Sequence, residues 1–177
     1  MTAGVRGERR AAAALVAAAA TALLAGPVFG QAENQVTPAD RAAIASCVSE
    51  SANAPRACIG SVAVVCARQA PGERRDAEIA CTRREAAVWR ERLDVIVGAL
   101  ARQLESGPRS RLASVERAWE SFAAQKCAFV AEVHPPARAP VMQAACELRE
   151  VAAHALDLER VARRQGTGPS QRPRIER

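Results

Sequence analysis

The stretch Arg111-Leu-Ala-Ser-Val-Glu-Arg-Ala-Trp119-Glu-Ser-Phe122-Ala-Ala-Gln-Lys-Cys127, with the run that follows it to Cys146, decides the fold. Leu112, Val115, Trp119, Phe122 and Phe129 or Val130 recur at three, four or seven residues, the period of an α-helix with one apolar face. Gly107-Pro108 stands in front of this run and Ser110 can cap it, so a helix is predicted from there onward. Between residues 133 and 140 the chain holds His134, Pro135, Pro136 and Pro140, and proline's missing N–H interrupts regular helix. The helical period then resumes over about 141–163, with Met142, Ala145, Leu148, Ala152 and Leu156 predicted to face inward. Two helices joined by a stiff connection bring Cys127 and Cys146, one on each side of it, alongside each other.

Thr37-Pro38-Ala39-Asp40 reads as a helix start: Thr37 caps free backbone amides, Pro38 sits at the tolerant first position, and Asp40 faces the positive helix end. This short helix runs to about Ser51. Asn53-Ala54-Pro55 then breaks and restarts the chain, and Cys58, Ile59, Val62, Val65 and Cys66 share one side of a second helix. Pro71-Gly72 ends it. A long third helix carries Ile79, Trp89, Leu93, Ile96, Leu100 and Leu104. No segment alternates strictly between apolar and polar residues, so the predicted class is all-α: a small bundle of about five helices stapled by disulfides. Six cysteines permit fifteen connectivities. The turns favour sequential pairing, because each flanks a pair: Cys47 with Cys58, Cys66 with Cys81, and Cys127 with Cys146.

The two ends differ in composition from the middle. Residues 1–30 begin with Arg6, Arg9 and Arg10, continue with an apolar run over 11–24, and leave through Val28-Phe29-Gly30, the three zones of a secretory signal peptide. The apolar run is shorter than the roughly 20 residues that span a bilayer, so the mature protein is expected to carry no integral membrane segment. Export would place the cysteines in an oxidising space, periplasmic or extracellular, where an even count reads as three bridges. About 145 residues then remain, enough for one domain with a modest core. Much of its apolar content is alanine, and only Phe29, Trp89, Trp119, Phe122 and Phe129 are aromatic. Over residues 31–160 seventeen Lys or Arg balance seventeen Asp or Glu, so the chain's +6 charge lies at its ends. Residues 163–177 form a basic, Gly- and Pro-containing tail expected to be disordered. A folded basic face for nucleic acid is therefore not predicted.

The quoted run, together with Ala144-Ala-Cys146-Glu-Leu-Arg149, resembles the secreted family named after the N-terminal region of the LprI lysozyme inhibitor. Cys58-Ile-Gly-Ser-Val-Ala-Val-Val-Cys66 and Cys81-Thr-Arg-Arg-Glu85-Ala-Ala-Val-Trp89 resemble the same family, and the likeness spans about 44–159 within a domain placed at 37–162. The resemblance implies a periplasmic or secreted helical protein and, for some relatives, inhibition of lysozyme.

Catalytic readings lack their chemistry. A thiol nucleophile needs a free thiolate beside a histidine, yet every cysteine has a candidate disulfide partner and only His134 and His154 are available. No Cys-x-x-Cys or His-x-x-x-His pair offers the close spacing of a zinc site, and no glycine-rich phosphate loop is present, so neither metal nor cofactor is expected. Glu116 with Glu120 and Glu147 with Glu150 read as solvated faces with nearby arginines, His154 as a surface or packing residue, and Trp89 and Trp119 as core. What remains is binding. The segment 132–141 is stapled, stiffened by proline and able to present Glu132, His134 and Arg138. If the target is a lysozyme, whose cleft holds two carboxylates, Arg138 or His134 could enter as a cationic plug. The rival reading is a non-inhibitory scaffold that binds another cell-envelope protein.

Overall fold

The computed structural model describes residues 35–166, so the expected signal peptide and all but the first four residues of the expected tail lie outside the described residues. Among these residues there are five α-helices and no strand: α1 (Pro38–Glu50), α2 (Ser61–Gln69), α3 (Arg74–Gln103), α4 (Ser106–Glu132) and α5 (Ala139–Gly166). The all-α expectation holds. α5 runs to Gly166, beyond the helix end expected near Arg163.

α1 opens as its sequence dictates. The Thr37 hydroxyl accepts from the Asp40 amide at 3.2 Å, and the Asp40 carboxylate accepts from the Thr37 amide at 2.8 Å, forming a reciprocal capping box with Pro38 in the first turn. Arg84 of α3 then grips the same carboxylate with two bonds of 2.8 Å, tying the start of α1 to the bundle. Burial alone would raise the Asp40 pKa, but the Arg84 guanidinium and the Thr37 donors outweigh it and hold the carboxyl below its ordinary value.

Two predicted boundaries move. Cys58 does not lie on α2, because Pro55–Cys58 forms a single 3₁₀ turn and Gly60 then reverses the chain with φ 98°, in the left-handed region that glycine enters at least cost. Likewise Ser110 does not cap α4. That helix begins at Ser106, and Gly107-Pro108 lies inside its first turn, where proline removes an N–H that has no intrahelical partner. The chain breaks instead at Leu104, whose extended backbone ends α3.

The core lies between α3 and α5. Val88, Trp89, Leu93 and Leu100 of α3 meet Leu148, Val151, Ala152, Ala155, Leu156 and Leu158 of α5, with Ile44, Val62 and Ala63 covering one end. Ala152 and Ala155 are completely buried, so the abundant alanine brings the two long helices close together. They run parallel: Glu78 pairs with Arg138 and, farther along both, Arg92 pairs with Glu159. The inward face of α5 is rotated slightly from the predicted one, since Val141 and Ala144 are buried while Met142 and Ala145 are only half-buried. α4 lies antiparallel to α5 at the edge of the bundle.

All three bridges form as predicted. Cys47–Cys58, Cys66–Cys81 and Cys127–Cys146 have Cα separations of 5.8, 5.6 and 5.4 Å, and among the described residues there is no free cysteine.

One interaction has no local signal in the sequence. Gly60 has no side chain with which to cap α2, and the free amides at that helix start converge instead on Glu85 of α3. The carboxylate accepts from the amides of Gly60 (2.7 Å), Val62 (2.9 Å) and Ala63 (2.7 Å) and from the Trp89 indole Nε1 (3.0 Å). Glu85 is completely buried. Its negative charge meets the positive end of α2, so one carboxylate orients α2, α3 and the central tryptophan together.

Candidate functional site

The connection between α4 and α5 covers residues 133–138, shorter than the predicted segment because Ala139 and Pro140 already belong to the first turn of α5. Its conformation is held at several points. The Val133 amide donates to the Phe129 carbonyl and the His134 amide to the Ala131 carbonyl, each at 3.2 Å, closing the end of α4. The His134 ring turns back and its Nδ1–H donates to the Val130 carbonyl at 2.6 Å; a carbonyl only accepts, so the proton belongs on Nδ1. The Pro135 carbonyl accepts from the amides of Arg138 (2.8 Å) and Ala139 (2.9 Å), and the Cys127–Cys146 bridge ties the helices that carry the loop.

The three predicted binding residues divide by environment. Glu132 and Arg138 are exposed, whereas His134 is half-buried and caps α4. Arg138 Nη1 lies 3.3 Å from Glu78 Oε2 on α3. The Arg138 side chain keeps 55% of its surface in solvent, and such an exposed pair is worth at most about 1 kcal/mol, so the guanidinium can exchange partners readily.

A second cluster joins α3, α4 and α5. The Trp119 and His154 rings stack with centroids 4.1 Å apart and planes inclined by 14°. His154 Nε2 lies 3.0 and 3.1 Å from the two Glu116 oxygens, and the Arg90 guanidinium lies 5.1 Å from the Trp119 ring centre. The predicted burial of Trp119 is therefore corrected: it is half-buried, lines an open groove with Glu120, Glu147 and Glu150, and is closed off by His154 and Arg90. Glu116, Glu120 and Glu150 pair with His154, Arg90 and Lys126 on other helices, in place of arginines on their own. Glu116 and Trp119 share one face of α4 by their spacing, but His154 is distant in sequence and nothing local announces the stack.

Among the described residues no group of three His, Cys, Asp or Glu is placed to hold a metal ion, and none of the helices is long and apolar enough to cross a membrane. The molecule is thus a small all-α domain stapled by three disulfides, a combination that points to an extracytoplasmic location. The family model described as "Lysozyme inhibitor LprI" matches residues 66–158, more than half of the chain, and the chain belongs to that family. The matched stretch contains Glu85, Trp119, His154, the α4–α5 loop and two of the bridges, while α1 and Cys47–Cys58 lie upstream of it. No curated protein and no solved structure matches the chain.

Proposed function

We propose that the protein acts in the periplasm or outside the cell by binding a lysozyme, and that the α4–α5 loop occludes the cleft of that enzyme with Arg138 as the inserted cation. Membership of the LprI family supports a lysozyme-directed binding role over a catalytic one. The observation that carries the choice of surface is the exposed Arg138 on a six-residue connection restrained by the disulfide, the His134 cap and the turn at Pro135. A restrained loop loses little conformational entropy on docking. A guanidinium can give two parallel hydrogen bonds to a carboxylate, and a glycosidase cleft offers two carboxylates flanking the scissile bond. Glu132 adds an exposed charge at the loop's entrance, and His134 holds the loop's shape.

The test is titration of the oxidised protein against several lysozyme classes, reading binding and cell-wall hydrolysis together. Arg138→Ala should stay within about 0.5 kcal/mol of wild type in stability. It should also lose about tenfold or more in affinity, while Glu132→Ala has a smaller effect. An Arg138→Ala protein that inhibits as well as wild type would remove the loop from the mechanism. Binding without inhibition would favour the scaffold reading.

A further inference from the structure

We propose that the outward face of α4 is a self-association surface on which two copies of this chain pair antiparallel about a two-fold axis near Phe122. Four large apolar side chains point away from the core along this face: on α4 Val115 is 45% exposed, Phe122 56% and Phe129 61%, and Val133, capping its end, is 58% exposed. The first three are seven residues apart, and Val133 follows Phe129 by four, so they form one straight stripe about 27 Å long at 1.5 Å per residue. A seven-residue apolar repeat is the seam of a helix that packs along another helix, and α5 already covers a different side of α4. Ala118, Ser121 and Ala128, all exposed, flank the phenylalanines with small side chains, leaving hollows for aromatic rings.

The occupant follows from the symmetry and charge of the stripe. Val115 and Phe129 lie at equal distances on either side of Phe122, so a second copy running the opposite way sets Phe122 on Phe122 and Val115 on Phe129. Arg111 stands eleven residues before Phe122 and Glu132 ten after it, on the same side of the seam. Both are exposed, and no ion pair is found for either among the described residues. Antiparallel pairing places Arg111 of each copy beside Glu132 of the other, twice per dimer. A parallel pair would set arginine against arginine and glutamate against glutamate, so charge selects the antiparallel arrangement. Lys126 does not oppose it, since its ammonium is already held 2.6 Å from Glu150 and lies beside the Phe122 ring. Four apolar side chains make a small contact, below the size of a standard stable interface, so the dimer is weak and reversible.

Sedimentation equilibrium of the purified, oxidised protein from about 1 µM to 1 mM tests this without any lysozyme present. The expected result is a reversible monomer–dimer equilibrium centred at tens of µM, which Phe122→Asp abolishes while its thermal melt stays that of wild type. Arg111→Glu should weaken dimerisation about tenfold, and the double swap Arg111→Glu with Glu132→Arg should restore it. A wild-type protein that is monomeric at 1 mM overturns the proposal, even if Phe122→Asp impairs binding of another protein. A dimer untouched by Phe122→Asp, or a double swap that restores nothing, overturns it as well.

Discussion

Replacing Glu85 should be among the most destabilising single changes in the domain. Its two oxygens divide four donors evenly: Oε1 accepts from the Gly60 amide and the Trp89 indole, and Oε2 from the amides of Val62 and Ala63. Glu85→Ala leaves all four N–H groups without an acceptor in a dry interior, at about 1–3 kcal/mol for each donor that finds no water, and opens a cavity as well. Two effects act in the opposite direction. The variant no longer buries a charge, and the start of α2 can fray to admit water. The net loss is therefore about 3–5 kcal/mol, as for other buried charge networks that lose one member, and a large fraction of the 5–15 kcal/mol that holds a domain of this kind together. Glu85→Gln keeps the shape but has one acceptor oxygen, so its NH₂ group must face two donors; a loss of about 2 kcal/mol is expected. Urea denaturation of the oxidised proteins, followed by tryptophan fluorescence, measures both. Glu85→Ala within 1 kcal/mol of wild type would show that the carboxylate is not what positions α2, and the reasoning would fail.

Acid should weaken the fold through Asp40. Its folded pKa lies below the ordinary 3.8, so it adds stability above that value and loses it as pH falls through the folded pKa; Asp40→Asn should flatten the drop in melting temperature between pH 6 and pH 2.5. Removing the last bridge with Cys127→Ala and Cys146→Ala should cost about 3 kcal/mol by the chain-entropy account of its 19-residue separation, read by denaturation under non-reducing conditions. The two tryptophans should separate clearly: Trp89→Ala, at a completely buried position, is expected to cost about 3–5 kcal/mol, and Trp119→Ala, half-buried under His154 and Arg90, about half as much. Equal losses in paired thermal melts would refute that ranking.

Local chemistry determined much of this protein from its sequence. The Thr37–Asp40 capping box is written within four residues, and the apolar period of α3 selects Trp89, Leu93 and Leu100 for the core because neighbouring turns of one helix share a face. The disulfides were legible for a related reason. Each bridge spans one turn between consecutive elements, and a short connection leaves a facing cysteine little freedom to pair elsewhere. The α4–α5 loop was placed by its prolines, although the inward turn of His134 and the reach of Arg138 to Glu78 depend on where α4 ends and where α3 passes. Tertiary structure alone decided what requires the rotation of one helix against another. The periodicity of α4 shows that Val115, Phe122 and Phe129 share a face but not which way it turns, and packing on α5 turns it outward. Trp119 meets His154, and the amides of α2 meet Glu85, across separations at which a side chain's identity carries no information about its partner. A carboxylate on α3 reads in sequence as one more charged residue of a long helix. It becomes the keystone of three elements only because α2 is capped by Gly60, which has no side chain to satisfy the donors at the helix start.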